Sequence, residues 1–208
     1  MMSPVFCSRR EAGPGIGSQL ARGDLASRTL EVLQRGNWAN PDVLLVKLRS
    51  GHRVVVKDYG SRSRFVKTLY GRWVTGREVK AYRILAGLPA VPAFLGCLDP
   101  LAFALEYRPG THMSRSLAGR LPEGFMSELR AAVREMHTRG VVHLDLRHRS
   151  NLLADSDGHP VLIDFGSALY LRPGSLLSRV LSPILARIDW SAVRKWEVRV
   201  APNLGSGC

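Results

Sequence analysis

The sequence predicts an α+β fold in which a small antiparallel sheet is followed by a short, mainly helical region. Short runs of β-branched residues separated by turn residues fill much of the first half of the chain. Longer stretches with helical spacing of apolar residues dominate the second half. We divide the 208 residues into an irregular tail at 1–22, a sheet-bearing lobe at 23–108 and a truncated helical lobe at 109–208.

Two strands in the first half are predicted to form a hairpin. Residues 43–48 and 53–57 are rich in Val and Leu, and the Arg-Ser-Gly-His segment between them is a turn signal. A short helix through Leu25, Leu30 and Leu33 is expected over 25–35. A second helix is expected over 75–85, where Gly87 follows its end, and a further strand over 101–107.

The second half begins with a helix predicted over 122–139, which Gly140 ends. A second hairpin over 152–163 turns at an Asp-Gly pair. Near the C-terminus, Pro183 is expected to kink a helix, and a short basic second helix is expected at 190–200. The first of these helices has an apolar stripe formed by Leu176, Leu177, Val180, Leu181, Ile184, Leu185 and Ile188. Two interpretations stay open for the stripe: packing under a loop of the second lobe, which we favour, or an interfacial membrane helix.

Composition and charge limit the class of protein. With 45% hydrophobic and 23% charged residues, the chain is typical of a folded domain and not of a disordered one. Lys and Arg number 30 against 17 Asp and Glu, a formal net charge of +13, which favours phosphates or an anionic membrane surface as partners. Nucleic acid is not excluded, but it is not predicted, since no recognised binding motif is present.

The compartment is predicted to be the cytoplasm, with a peripheral position on the inner membrane face as an alternative. Three cysteines, Cys7, Cys97 and Cys208, share no short spacing, which argues against a disulfide framework or a zinc site. The N-terminus lacks the apolar middle of a secretory signal. Arg179 and Arg187 interrupt the most apolar C-terminal stretch, so no spanning helix is expected.

Four elements that carry chemistry stand in order along the chain. They are Lys57 at the end of a strand, Glu78 in the next helix, His143-Leu144-Asp145 with Asn151 after it, and Asp164-Phe165-Gly166 after the second hairpin. Together they resemble the protein-kinase-like superfamily over roughly residues 40–170. Compact bacterial kinases of the RIO-like type, and the lipopolysaccharide kinases that phosphorylate the core sugars Kdo or heptose, are the most similar branches. The resemblance implies a two-lobed fold with a small antiparallel N-lobe and a reduced, mainly helical C-lobe.

The resemblance implies a nucleotide site in the first lobe. Lys57 and Val55 share a strand face, so that Val55 roofs a base while Lys57 reaches the phosphates of ATP. Glu78 lies on an apolar helical stripe, where a carboxylate requires a cation, and an ion pair with Lys57 would supply one. Glu106, near the end of the strand at 101–107, is also assigned to cofactor binding.

The resemblance implies catalytic and metal-binding residues in the second lobe. Asp145 is the expected catalytic base for a hydroxyl acceptor, with Arg147 neutralising the transferring phosphoryl group. Asn151 and Asp164 supply the oxygen atoms that Mg²⁺ prefers. His143 is expected to hydrogen-bond the loop backbone and not to carry protons. The predicted cofactors are therefore ATP and Mg²⁺.

The sequence departs from the kinase pattern at the glycine-rich lid, because residues 25–50 contain Gly36 alone. The favoured hypothesis is an ATP-dependent phosphotransferase, most similar to a RIO-like serine/threonine protein kinase. A lipopolysaccharide core sugar kinase with a glycolipid hydroxyl as acceptor is the close alternative. A non-catalytic pseudokinase and a basic nucleic-acid-binding module stay open as hypotheses of a different class.

Overall fold

The computed structural model describes residues 16–37, 40–60 and 71–200, which fold as two compact units. The first unit contains the described residues up to 83 together with 93–107, and the second contains 84–92 and 108–200. The segment 84–92, which the sequence division placed in the first lobe, therefore belongs to the second unit. The predicted α+β class is confirmed by a five-stranded antiparallel sheet combined with helices.

The sheet of the first unit has the strand order β1-β2-β3-β5-β4, and all neighbouring strands are antiparallel. Its strands are β1 (Thr29–Gln34), β2 (Asp42–Lys47), β3 (Arg53–Asp58), β4 (Phe94–Asp99) and β5 (Ala102–Glu106). The predicted hairpin corresponds to β2 and β3, and the predicted strand at 101–107 corresponds to β5. In this register Lys57 lies opposite Val43 on one side and Phe103 on the other.

The N-terminal segment differs from its prediction. Residues 16–22 belong to the fold and not to an irregular tail, because α1 (Ile16–Gln19) and the residue after it place Ile16 and Leu20 in the core of the first unit. Residues 1–15 lie outside the described part. The helix expected over 25–35 ends after one turn, α2 (Leu25–Arg28), and the chain continues as β1. Pairing with the edge of β2 gives the backbone of β1 hydrogen-bond partners, and this outweighs a weak helical pattern whose Leu30 and Leu33 are exposed.

The helix α3 (Arg72–Ile84) corresponds to the helix predicted at 75–85. The strand β4 was not predicted, because two prolines stand just before it and a glycine lies inside it. Cys97 on β4 is buried, and the other two cysteines lie outside the described residues.

The second unit is built from short strands and two long helices. Its elements are β6 (Gly110–His112), α4 (Phe125–Thr138), β7 (Val141–Val142), β8 (Leu152–Asp155), β9 (Pro160–Leu162), β10 (Leu169–Tyr170) and α5 (Leu176–Val200). Strands β6, β8 and β9 form one small sheet, and β7 pairs with β10 in another. The predicted helix at 122–139 and the predicted hairpin at 152–163 are confirmed as α4 and as β8 with β9.

The C-terminal helix α5 is continuous through Pro183, so the expectation of a separate second helix is wrong. Pro183 is exposed, and water can hydrate the carbonyl group that loses its partner four residues earlier. The side chains that α5 buries lie in its C-terminal half: Asp189, Ala192, Val193, Trp196 and Val200. Within the described residues, no helix combines the length and the apolar character needed to cross a membrane.

Candidate active site

The first unit contains the predicted ion pair. Lys57, on β3, donates from its Nζ to Oε1 of Glu78 on α3 over 2.6 Å. Glu78 is fully buried and Lys57 is 6% exposed, so both charges have left water and each requires the other. The pairing fixes the ammonium group at one position on the sheet.

The two other residues predicted to bind the cofactor also lie in the first unit. Val55 is half-buried on β3, where it shares the strand face of Lys57 and pairs with Leu105. Glu106, the last residue of β5, pairs with Ala93, the residue before β4: its Oε2 accepts the Ala93 N–H at 3.0 Å, and its own N–H donates to the Ala93 carbonyl at 2.9 Å. In this structure the Glu106 carboxylate therefore stabilises the start of β4.

The predicted catalytic base lies in the second unit, on the loop that follows β7. The Asp145 side chain is exposed, yet it is held in place because Nδ2 of Asn151 donates to its Oδ2 at 2.8 Å and to its backbone carbonyl at 2.9 Å. A single amide group thus fixes both the carboxylate and the backbone of one residue. This arrangement suits a general base, which needs a defined position and access to its substrate.

His143 has the scaffold role that was predicted from the sequence. Its Nε2 lies 3.0 Å from the carbonyl of Ile163, and its Nδ1 lies 3.3 Å from the backbone N–H of Asp145. The Nε2 atom must therefore carry the proton while Nδ1 accepts, so the neutral imidazole satisfies both contacts. Burial is the main cause that lowers the pKa of His143 below its ordinary value, against the opposing charges of nearby carboxylates.

The two predicted metal ligands lie at one end of the β8–β9 hairpin. Asn151 immediately precedes β8, and its carbonyl accepts the N–H of Ile163, the residue before Asp164. Since Nδ2 of Asn151 is directed at Asp145, the amide oxygen Oδ1 is the atom oriented for other contacts, and it accepts a hydrogen bond from Ser150. One amide oxygen and one carboxylate fit the hard-oxygen preference of Mg²⁺, which takes its other ligands from water and phosphate.

Two residues beside this site have left-handed backbone conformations that are unusual outside glycine. Leu144 has φ 69° and Asp164 has φ 64°. Such a conformation costs about 1–2 kcal/mol at a residue with a side chain, so the surroundings must hold it. For Leu144 the holding contact is identifiable, because its N–H donates to Oδ1 of Asp189 at 2.8 Å.

Asp189 is a residue of this site that sequence reasoning missed. It lies on α5, is fully buried, and accepts three hydrogen bonds: the N–H of His143 at 2.8 Å, the N–H of Leu144 at 2.8 Å, and Nε2 of His137 at 2.9 Å. The carboxylate thus fastens the backbone just before Asp145 to a helix more than 40 residues later. Only a weak signal for this role is present in the sequence, because Asp189 is one of two acidic residues, with Glu197, in the predicted C-terminal helical region.

Two further side chains of α5 donate hydrogen bonds to the backbone of the loop that carries Asp145. Trp196 is buried and donates from Nε1 to the carbonyl of Leu146 at 2.9 Å, and Lys195 donates to the carbonyl of Arg147. Arg147 itself is exposed, as the prediction of a role toward a transferring phosphoryl group requires. The preferred interpretation of the apolar stripe, packing under the loop, is wrong, because most of the stripe is exposed. The residues of α5 that contact the loop follow the stripe, at Asp189–Val200.

Comparison with known proteins gives matches to phosphotransferases. Residues 77–173, just under half of the chain, match the APH phosphotransferase enzyme family, a segment that includes Glu78, Asp145, Asn151 and Asp164. The human serine/threonine-protein kinase LATS1 is 39% identical over 74 residues, which is 33% of this chain and 6% of that protein. The serine/threonine-protein kinase RIM15 of Saccharomyces cerevisiae is 36% identical over 74 residues, 33% of this chain and 4% of its own length.

In a third relative, the match covers a larger share of the protein. The serine/threonine-protein kinase D of Synechocystis sp. is 31% identical over 84 residues, 36% of this chain and 17% of that protein. The chain therefore spans less than a fifth of each of these three relatives. The fold, the order of the motifs and the matches are those of kinase-like phosphotransferases, which supports the predicted enzyme class. The RIO-like and lipopolysaccharide-kinase branches stay predictions.

Proposed function

We propose that this chain is an ATP-dependent phosphotransferase that transfers the γ-phosphate of ATP to a hydroxyl group. Lys57, fixed by Glu78, contacts the ATP phosphates, and Asn151 with Asp164 holds Mg²⁺, which would neutralise the phosphate charge. Asp145 accepts the proton of the acceptor hydroxyl, and Arg147 stabilises the charge on the phosphoryl group in transit.

One observation carries this proposal: the hydrogen-bond network that fixes Asp145 while leaving it exposed. Asn151 holds its side chain, His143 receives its N–H, and Asp189 holds the two residues before it. A protein that only binds ligands does not need a leucine with a left-handed backbone conformation beside a fixed, exposed carboxylate. Pre-organisation of this kind is what phosphoryl transfer requires, since the protein contributes mainly positioning and electrostatics.

Two acceptor classes follow from the resemblance and the relatives. A serine or threonine hydroxyl of a protein, as in RIO-like kinases, is supported by the partial matches to serine/threonine-protein kinases. A core sugar hydroxyl of a glycolipid, as in lipopolysaccharide kinases, is supported by the basic surface of the second unit. Both acceptors use the same roles for Asp145 and the metal ligands.

The test measures Mg²⁺-dependent transfer from labelled ATP by the purified chain to separate protein and lipid extracts of its host. We expect Asp145→Asn to lower transfer at least about 10²-fold, since general base catalysis contributes about 10²–10⁴-fold. Asp157→Asn is the matched control, because Asp157 is exposed on the β8–β9 turn. Transfer that survives Asp145→Asn unchanged would contradict the proposal.

The pseudokinase alternative predicts nucleotide binding without turnover. We expect Lys57→Met to weaken ATP binding in a direct binding measurement, while Asp145→Asn leaves it within about twofold. Binding that responds to Lys57→Met in a chain that consumes no ATP would favour the pseudokinase. The preparation would have to contain Mg²⁺, and a chelator should abolish turnover of an active enzyme.

A further inference from the structure

The N-terminal half of α5 presents apolar side chains to water. Leu177, Val180, Ile184 and Ile188, which we call the outer stripe, follow one another at spacings of three and four residues and so share one helical face. Their exposure lies between 40% and 63%. Single exposed apolar residues are common on folded domains, whereas a contiguous apolar face usually marks an interaction site.

Further along the same helix the surface becomes strongly basic. An open cavity of about 600 Å³, which we call the basic pocket, is lined by five cations and an aromatic side chain: Arg115, Arg187, Arg194, Lys195, Arg199 and Trp190. Among the described residues, none that lines it is acidic. Burial lowers the pKa of Lys195, and the charges of Arg199 and Arg147 lower it further. The Asp145 carboxylate opposes this effect at Lys195, and an anion bound in the pocket would offset the mutual repulsion of the cations.

The outer stripe and the basic pocket form one continuous face. From Val180 through Ile184, Arg187, Arg194 and Val198, helical spacings of three or four residues, or their sums, keep the side chains on the same side of α5. An apolar stripe bordered by Arg and Lys is typical of helices that lie in the interface of an anionic membrane. A second copy of the chain fits poorly, because it would bring another five cations against the first five.

We propose that this outer face of α5 docks on an anionic lipid bilayer, with the outer stripe at the boundary between headgroups and acyl chains and the basic pocket around lipid phosphates. The docked face borders the catalytic loop, since Lys195 lines the pocket and also donates to the Arg147 carbonyl. Docking would therefore hold the Asp145 loop beside the membrane surface. Docking depends on the surface of α5 and does not require the proposed transfer reaction.

The test is co-sedimentation of the full chain with vesicles of phosphatidylcholine alone and with vesicles that also contain phosphatidylglycerol. We expect binding to the anionic vesicles, weakened by salt, and none to the neutral ones. The double variant Arg187→Gln/Arg194→Gln should lower affinity about 25-fold, since each basic residue near such a surface contributes about fivefold. The control Arg120→Gln/Arg134→Gln removes two exposed charges elsewhere in the second unit, and we expect it to change affinity by less than about threefold.

A second variant tests the apolar half of the face. Val180→Ser/Ile184→Ser changes exposed side chains, so the fold should persist while vesicle binding falls at least tenfold. Unchanged vesicle binding by this variant would overturn the proposal, as would an equal loss in the control arginine pair. Conversion of a dimer to a monomer by the serine variant, with vesicle binding intact, would assign the face to self-association instead. Asp145→Asn should bind vesicles like the wild type, so docking is measured separately from phosphotransfer.

Discussion

Replacing Asp189 tests whether α5 positions the catalytic loop. In Asp189→Ala the N–H groups of His143 and Leu144 lose their acceptors inside the protein. Each such group costs about 1–3 kcal/mol when it is left buried without a partner, so we expect a loss of about 4 kcal/mol in the free energy of unfolding. That is a large fraction of the total stability of about 5–15 kcal/mol that is usual for a domain.

The variant Asp189→Asn separates positioning from folding. Its amide keeps one acceptor oxygen but directs an NH₂ group at a backbone N–H, so we expect a smaller loss of about 2–3 kcal/mol. Leu144 then loses the contact that maintains its left-handed backbone and relaxes. Since a displacement of about 1 Å in a reacting group lowers rates about 10²-fold, kcat for phosphotransfer should fall about 10²-fold while KM for ATP stays nearly unchanged.

Urea unfolding followed by circular dichroism measures the stability, and steady-state transfer from labelled ATP measures kcat and KM. The control is Glu197→Gln on the same helix, which breaks a partly exposed ion pair with Arg130 and should cost less than about 1 kcal/mol. If Asp189→Asn matched Glu197→Gln in both stability and kcat, Asp189 would not position the Asp145 loop.

Three further outcomes follow from the second unit. Because burial lowers the pKa of His143, the unfolded chain binds its proton more readily than the folded one, so stability should decline as pH falls below about 6.5; His143→Gln should remove part of this slope in urea titrations between acidic and neutral pH. Gly140→Ala should cost at least about 2 kcal/mol in urea unfolding, since Gly140 has φ +79° and an added Cβ would lie 2.3 Å from the Leu171 carbonyl oxygen, whereas Gly119→Ala, at φ +70° in open space, should cost about 1 kcal/mol. Asp164→Asn should raise the Mg²⁺ concentration needed for half-maximal turnover at least tenfold, and an unchanged Mg²⁺ titration would remove Asp164 from the metal site.

Local sequence pattern was sufficient to predict a feature when that feature depends on a single strand or helix. Alternation along β3 predicts that Val55 and Lys57 share a face, and helical period predicts that Glu78 lies on the buried side of α3. Both side chains of the ion pair then need each other for electrostatic reasons alone. The Asp-Gly turn and the flanking apolar runs likewise sufficed to predict β8 and β9.

Local sequence pattern gave wrong predictions where contacts with distant parts of the chain determine the secondary structure. The 25–35 segment has weak helical spacing, yet the open edge of β2 supplies hydrogen-bond partners that convert it to β1. Pro183 would break a short peptide helix, but α5 continues through it, because packing of the later residues holds the helix.

The motif order was readable from the sequence: Lys57, Glu78, Asp145, Asn151 and Asp164, with strands and helices between them, indicate a kinase-like phosphotransferase. Two features required the folded chain to be seen: Asp189 and Trp196 hold the loop that carries Asp145, and the outer stripe of α5 faces water. The physical reason is that periodicity identifies which residues share a face, whereas the partner of that face depends on contacts between segments far apart in the chain.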